Sequence, residues 1–475
     1  MAIDLYLIDE VNVRFDGLTD SQTKHIIKAT ERSVPGAFQS AAFKLHKWNG
    51  KESNFSPSGY TFSFLLDQVL DILERDLLVD LDQDITLHDV RELPLVPDHV
   101  PRIDNTYLSG LGITMHDHQV EAVNRVIEAR KGIIDIATTG GKTYICLSLS
   151  KVFSEWVGSV VVVPNKELLV QTYNSYVEEG SLNVAMLTGN GDREQIVANH
   201  DHIIVTWQLL KNSAELFRGF RGVLIQDECH ILGEVMQRNL RDVFSDCPVR
   251  VGMTATVPKT GHKKEKLFCH IGGDVLIKVE TRELQEHKIA STCSITTVRT
   301  RDSRLEHEEP FEEWESEKKY LLKNRRRVDA LAEYLDLLPN KNTLVLTHPQ
   351  FGSKIAKKLS LPFIDMDVKS EDRIAEYEKF EVSDDNCLIA TFGTAGTGIS
   401  INRIFRLILI DPGKNPTAIV QGIGRGLRLD GVYNHLEVFD IYSNTRWSVR
   451  HQRGRQQLYR SQGFELHTAP DIHIL

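Results

Sequence analysis

Short runs of β-branched and other apolar residues, each bounded by turn residues, recur along this chain in two series. The first comprises GIIDIA (132–137), SVVVVP (159–164), HIIVTW (202–207), GVLIQDE (222–228) and VRVGMTAT (249–256). The second comprises NTLVLTH (342–348), FIDMD (363–367), CLIATFG (387–393), RLILIDPG (406–413) and LEVFDIYS (436–443). Their apolar residues are continuous rather than alternating. Such strands are buried on both faces, the condition of a parallel sheet covered by helices. Helical patterns lie between them, among them KELLVQTYNSYVEE (166–179), SKIAKKLS (353–360) and EDRIAEYEKF (371–380). The pattern predicts an α/β protein with two parallel-sheet domains in tandem.

The first series sets a domain at 106–283 and the second a domain at 319–450, opened by a helix over 319–336. The polar, charge-rich stretch 284–318 reads as the linker between them. Residues 1–98 differ. Short strands within DLYLIDEVNVRF (4–15) and a helix over TFSFLLDQVLDILERDL (61–77) predict a small α+β N-terminal domain. The Pro-containing ELPLVPDHVPRIDN (92–105) follows as a connector. Residues 451–475 read as a C-terminal helix and tail. A chain of 475 residues is long enough for several cores.

The net charge of −10 argues against loose coating of nucleic acid, but not against a local basic track. Two tracks exist: Lys323-Asn324-Arg325-Arg326-Arg327, and the acid-free segment Arg446 to Arg460 with Arg450, Arg453 and Arg455. Without context each is equally a solvated helix face. No apolar run approaches membrane-spanning length, and the acidic, mixed N-terminus is unlike a signal peptide. The six cysteines form no C-x-x-C pair, and no histidines cluster at zinc spacing. A reduced, cytoplasmic setting without a structural metal or membrane partner is expected.

Within GIIDIATTGGKTYI (132–145), a strand runs into Gly140-Gly141, and Lys142-Thr143 opens a helix. Backbone N–H groups and a helix N-terminus at such a turn face phosphates. Lys142 would reach the β- and γ-phosphates and the Thr143 hydroxyl would ligate Mg²⁺. Ile136 occupies the position of the usual first glycine, so the stretch alone fits a plain strand and turn equally well. A nucleotide site requires carboxylates at a later strand end, and GVLIQDECH (222–230) supplies them. Asp227 would hold Mg²⁺ through water, and Glu228 would orient or deprotonate an attacking water. Upstream, Gln119 in HDHQVEAV (116–123) begins a helix and carries an amide able to read adenine's edge.

With these residues in hand, the chain resembles a superfamily 2 helicase of the DExH kind, built from two RecA-like domains. Its motifs stand in family order: Gln119, ATTGGKT (137–143), VVVPNKELLVQT (161–172), VTWQLL (205–210), DECH (227–230) and MTAT (253–256). LVLTHPQFG (344–352), LIATFGTAGTGISI (388–401) and QGIGRGLR (421–428) follow in the second domain. Members of this superfamily often lack the first glycine, so Ile136 is no obstacle. The resemblance implies ATP as substrate with Mg²⁺. It adds Thr138, Thr139 and Gly398 to the nucleotide residues, and makes Arg425 and Arg428 the arginines that stabilise γ-phosphate charge, with Gln421 sensing it. It also implies strand-backbone contacts at Pro164, Asn165 and Lys166, at Thr206 and Trp207, at Thr347 and His348, and at Thr391. Thr139 stands where most members carry glycine, and Ser400 where many carry an acid used toward the ribose.

VRFDG (13–17), FKLHKWNGKESNF (43–55) and the tail RHQRGRQQLYRSQGFEL (450–466) are similar to phage recombination helicases within this superfamily. That implies ATP-driven remodelling of branched or forked DNA, with single-stranded DNA also bound, by a monomer acting in recombination, repair or replication. Lys44, Lys47 and Lys51, interleaved with His46 and Trp48, would grip phosphates while an aromatic stacks on a base. The plainer reading buries Trp48 in a core and leaves the lysines solvated. An RNA helicase and a restriction-type translocase share the core, although no nuclease constellation is visible. A non-catalytic, nucleotide-clamped junction binder is opposed by the presence of Lys142, Glu228, Arg425 and Arg428.

Overall fold

The apolar runs form the centres of two parallel sheets. The structure, a computed structural model, describes residues 2–92, 95–179, 182–258, 261–306, 311–396, 401, 403–413, 419, 422–424, 426–429 and 433–474. Residues 1–136 with 141–278 make one compact unit, and residues 279–475 with the loop 137–140 the other.

In the first unit, strands β1 (Ile3–Leu7), β2 (Asn12–Asp16), β3 (Tyr60–Phe62) and β4 (Ile85–Asp89) form a mixed sheet ordered β3-β2-β1-β4. The segment 4–15 is a hairpin, because Asp9 Oδ1 accepts the N–H groups of Val11 and Asn12 and turns the chain. The helix expected over 61–77 is shorter. Phe62 pairs with Asn12 in the sheet, and helix α1 (Leu66–Arg75) begins only after a tight turn. The cause lies upstream: Gly59 sits at φ +80° where a Cβ would lie 2.1 Å from the Phe15 carbonyl, which fixes 60–62 on β2.

The larger sheet follows α2 (Asp117–Ala129). Its elements are β5 (Lys131–Ile136), α3 (Lys142–Phe153), β6 (Ser159–Val163), α4 (Lys166–Glu179), β7 (Val184–Leu187), β8 (His202–Thr206), α5 (Trp207–Lys211), β9 (Val223–Asp227), α6 (Glu234–Val243), β10 (Val249–Thr254), α7 (Gly261–Ile271) and β11 (Val275–Val279). The strand order is β11-β5-β10-β9-β6-β8-β7, and the pairs from β5 through β7 are parallel. Val160, Val162, Ile203, Val205 and Leu224 pack with Phe217 and Phe244 on one face. Arg250 of β10 is fully buried, and its guanidinium donates to the carbonyls of Phe244, His270 and Ile271, tying down the ends of α6 and α7.

Helix α7 carries the N-terminal region. Glu265 pairs with Arg32 at 2.7 Å and accepts from Asn54, and Lys266 pairs with Glu52 at 2.7 Å. Phe62 stands edge-on to His270, and Phe64 to Phe268.

The second unit holds β12 (Thr292–Asp302), α8 (Trp314–Lys323), α9 (Arg325–Asp336), β13 (Thr343–Thr347), α10 (Pro349–Leu359), β14 (Phe363–Ile364), α11 (Ser370–Glu381), β15 (Cys387–Thr391), β16 (Arg406–Ile410), β17 (His435–Ser443), α12 (Arg446–Ser461), β18 (Glu465–Thr468) and β19 (Ile472–Ile474). The order is β14-β15-β13-β16-β17-β12-β18, with β19 also on β12. The stretch 284–318 is therefore not simply a linker. Strand β12 runs parallel to β17 from Thr292↔His435 to Thr300↔Ser443, and its other edge takes both strands of the tail. Its threonines read as polar loop but suit a strand flanked on both sides. The helix expected over 319–336 is two, broken at Asn324, whose Oδ1 caps α9 by accepting the Arg327 N–H.

Each basic track sends one arginine inward. Arg327 is fully buried against Asp411 at 2.7 Å, and Arg455 is bidentate on buried Asp440 at 2.8 Å, with the Tyr459 hydroxyl on the same carboxylate. Lys323, Arg325, Arg326, Arg450 and Arg453 remain exposed. Buried Glu317 accepts from the Thr445 hydroxyl and from the N–H groups of Trp447 and Ser448, capping α12. No helix among the described residues is long and apolar enough to cross a membrane, and the six cysteines are free thiols.

Removing one partner of a buried ion pair strands the other. Arg455→Ala is expected to destabilise the second unit by about 3–5 kcal/mol, read as a shifted denaturant midpoint; an unchanged midpoint refutes this account of Asp440. A second expectation concerns His270, which burial, aided by Arg241, Lys266, Arg250 and Arg238, pulls down to about 3 from 6.5. The folded chain keeps this imidazole neutral while the unfolded chain protonates it. Its contribution is thus present above pH 6.5 and is lost as the pH falls toward 3. Between pH 6.5 and 5, wild type should lose roughly 2 kcal/mol more than His270→Leu. Parallel pH profiles would contradict it.

Candidate active site

In a parallel sheet with helices on both faces, ligands meet the carboxyl ends of the strands. The ends of β5, β9 and β10 bring the predicted nucleotide residues together. The Gly140 N–H donates to the Ala137 carbonyl at 2.9 Å, closing the loop after β5. Gly141, at φ +74°, precedes α3. A Cβ at this position would lie 2.1 Å from Gln119 Nε2. Gln119 is 3% exposed at the start of α2, and its Oε1 accepts the His116 N–H at 2.9 Å. The amide therefore abuts the loop and has little room to retreat.

Lys142 Nζ lies 3.4 Å from Glu228 Oε1, with side chains 10% and 13% exposed. Burial alone pulls the Lys142 ammonium down, but the Glu228 and Asp227 carboxylates outweigh it and hold it above its ordinary value. Asp227 moves the other way. Burial first, then the Glu228 charge, pushes its carboxyl up against the pull of Lys142. Asp227 Oδ1 accepts the Glu228 N–H at 3.0 Å. Glu228 itself adopts φ +47°, uncommon for a side-chain-bearing residue, and this aims its carboxylate back at Lys142.

Two further residues belong to this cluster. His230 Nδ1 hydrogen-bonds the buried Thr254 hydroxyl at 2.7 Å and lies 3.4 Å from Glu228 Oε2. Thr254 Oγ1 also accepts the Thr256 N–H at 2.9 Å. Burial pulls the His230 imidazole down, Glu228 opposing, which favours the neutral ring. A relay thus joins the ends of β9 and β10. DECH and MTAT by themselves give His230 and Thr254 no role; the signal for one is their position at adjacent predicted strand ends.

Several polar atoms here are buried with no hydrogen-bond partner among the described residues: Thr138 Oγ1, Thr139 Oγ1, Lys142 Nζ, Glu228 Oε2 and His230 Nε2. Buried polar atoms without partners are costly, and a polyphosphate with its cation is chemically suited to them. Among the described residues no group of three or more His, Cys, Asp or Glu is arranged to hold a metal. Magnesium does not need one, because it binds through one or two oxygen donors plus phosphates and water. The half-buried Thr143 on the first turn of α3 and Asp227 at the end of β9 are donors of that kind.

Gly398, Gln421 and Arg425 lie outside the described residues. Arg428 is described: its carbonyl accepts from Ser291, and burial pulls its guanidinium down against the charge of Glu381.

The predicted strand contacts sit at strand ends but are not uniformly accessible. Pro164 is buried, Asn165 caps α4 by accepting the Leu168 N–H, and Lys166 is exposed. Thr206 is buried and caps α5, and Trp207 packs on the core. Thr347 is buried, His348 precedes α10, and Thr391 is buried with its hydroxyl engaged by Thr394. The Thr206 and Thr391 hydroxyls brace these turns, and Trp207 is held by packing. In the N-terminal region Lys44 and Lys47 are exposed, whereas Trp48 is half-buried and its indole N–H donates to the Lys51 carbonyl at 2.7 Å.

Two family models match the chain: type III restriction enzyme, res subunit, over residues 112–259, and helicase conserved C-terminal domain over 326–430. The chain is 22% identical over 351 residues to the ATP-dependent DNA helicase uvsW of Enterobacteria phage T4, covering 70% of each. It is 21% identical over 359 residues to the DNA 3′-5′ translocase XPB2 of Sulfurisphaera tokodaii, covering 66% of this chain and 79% of that protein. In fold it is similar to the ATP-dependent type ISP restriction-modification enzyme LlaBIII bound to DNA, with a TM-score of 0.58 at 13% identity, covering 75% of this chain and 31% of that one.

Gly141→Ala forces Gln119 off its His116 bond and strains φ. Binding of a fluorescent ATP analogue is expected to weaken about tenfold or more, in line with a backbone cost of ~1–3 kcal/mol. Unchanged binding would show that Gln119 and the loop are not packed as described.

Proposed function

The chain is a superfamily 2 helicase, distantly related to the phage T4 uvsW protein, and we propose that it uses ATP to remodel branched or forked DNA. The observation that carries the ATPase part is the buried Lys142–Asp227–Glu228 cluster. A polyphosphate entering the loop competes with Glu228 for the Lys142 ammonium. Once Lys142 turns to the phosphates, Glu228 is released to orient a water and take its proton. His230, held neutral beside Thr254, can then follow the position of Glu228 and pass it to the end of β10. Thr143 and Asp227, the latter partly through water, are the residues that would hold magnesium, which when bound neutralises charge on the transferred phosphoryl group. Gln119 reads the base, with Thr138, Thr139, Gly140, Gly141 and Gly398 around the phosphates. Arg425 and Arg428 answer the γ-phosphate charge, with Gln421 sensing it.

Both curated relatives are named as DNA enzymes, which supports DNA over RNA. The similarity of the N-terminal patches and tail to phage recombination helicases supports branched substrates. Exposed Lys166 and the turns ahead of α4, α5 and α10 would grip strand backbones without reading sequence. The Sulfurisphaera relative is named a 3′-5′ translocase, and the same polarity is proposed here, for a monomer acting in the cytoplasm.

The test is ATP-dependent processing of a labelled four-way DNA junction beside a DNA–RNA fork. Wild type should move the junction. Lys142→Ala should lower turnover roughly a hundredfold or more, and Glu228→Gln should abolish turnover while retaining DNA binding. Preference for the RNA-containing fork would keep the ATPase and overturn the proposed substrate.

A further inference from the structure

Residues 32–51 form a second acid-free basic segment of this acidic chain, in addition to Arg446 to Arg460. The segment contains Arg32, Lys44, Lys47 and Lys51 and no aspartate or glutamate, in a protein of net charge −10. It leaves the N-terminal region as a short antiparallel stem, with Arg32 paired to Glu52 and Ser33 to Lys51. The stem is clamped to the motor domain from both sides: Arg32 on Glu265, and Glu52 on Lys266 and His262.

Beyond the stem the chain folds on itself. The Val34 N–H donates to the Gly50 carbonyl, the Lys47 N–H to Ala42, and the His46 N–H to Phe43. Ser40 Oγ accepts the Phe43 N–H, and Trp48 closes the loop through Lys51. Gly50, at φ +77°, lies so close to the Phe43 ring that a Cβ would sit 2.9 Å from it. The protrusion is therefore internally braced. Yet it carries two large apolar side chains in water, Phe38 and Leu45, each 64% exposed. Beside Lys44 and Lys47, which are also exposed, they suit a surface that is both anionic and apolar. Unpaired DNA at a branch point offers that combination, with phosphates for the lysines and base faces for the apolar tips.

We infer that the protrusion 32–51 is the strand-separating wedge, with Phe38 and Leu45 unstacking the base pair at the branch and Lys44 and Lys47 holding the adjoining phosphates. This rests on the reading that DNA is the substrate, and reassigns the apolar contact from Trp48 to the tip. Because the stem is clamped to α7, the wedge moves with the sheet that carries Lys142 and Glu228.

The experiment uses the full chain and a forked DNA with 2-aminopurine at the branch point, without ATP. Wild type is expected to brighten the probe on binding, as a base leaves its stack. Phe38→Ser/Leu45→Ser should bind the fork within about twofold by anisotropy, keep its single-strand-stimulated ATPase, and lose most of the brightening. Its ATP-driven strand separation should slow about tenfold, as expected from lost base stacking. Equal brightening by the variant, or none by bound wild type, overturns the wedge. So does a parallel loss of binding, ATPase and brightening, which would make the tip a general grip. Brightening by a wild type that fails to move junctions with ATP would leave the wedge standing and sink the proposed function instead.

Discussion

Burial of the central strands on both faces is the constraint from which the remaining architecture follows. In β6, for example, Ser159 to Val163 are all buried, with β9 on one edge and β8 on the other. Such a strand has its backbone paired and its side chains covered, so chemistry is confined to its ends. The loop after β5, the carboxylates after β9 and the Thr254 hydroxyl on β10 are thereby brought to one rim, although they lie far apart in sequence. The same rule puts Asn165, Thr206 and His348 at strand-to-helix turns.

Buried charge is handled in two different ways within the molecule. Arg250, Arg327 and Arg455 are all withdrawn from water, and each is answered by carbonyls or a carboxylate in its own unit. Arg250 and Arg455 are fully committed by hydrogen bonds that brace helix ends and strand ends. The cluster at Lys142 is different in kind. Its ammonium meets Glu228 at 3.4 Å, while Lys142 Nζ, Glu228 Oε2 and His230 Nε2 lack hydrogen-bond partners among the described residues. A site with unspent hydrogen-bonding capacity is poised to exchange an internal ion pair for a ligand, whereas a bidentate pair such as Arg455–Asp440 is not. This contrast separates scaffold from machinery within one molecule.

The N-terminal region is ion-paired to α7, whose end is tied in turn by Arg250 to the sheet bearing Lys142 and Glu228 at its strand ends. A tip mounted in this way transmits displacement rather than absorbing it, which is what a translocating motor requires of any element that parts two strands.

Much of this was legible in the residues themselves. Continuous apolar runs specify parallel strands because a strand covered on both faces tolerates little else, and Gly141-Lys142-Thr143 with Asp227-Glu228 predict a nucleotide site, residues that the structure brings together at adjacent strand ends. What escaped was whatever depended on a distant partner. Strand β12, rich in threonine, reads as loop until β17 and the tail flank it. Arg327 and Arg455 read as surface charge until Asp411 and Asp440 meet them. Trp48 reads as either a stacking or a core residue until it is found half-buried with its indole N–H bonded to Lys51, while Phe38 and Leu45 are exposed. Local pattern determined which segments become strands and which carry chemistry. Only the tertiary structure decided which charges are buried and which side chains reach solvent, because both depend on neighbours that sequence spacing does not encode.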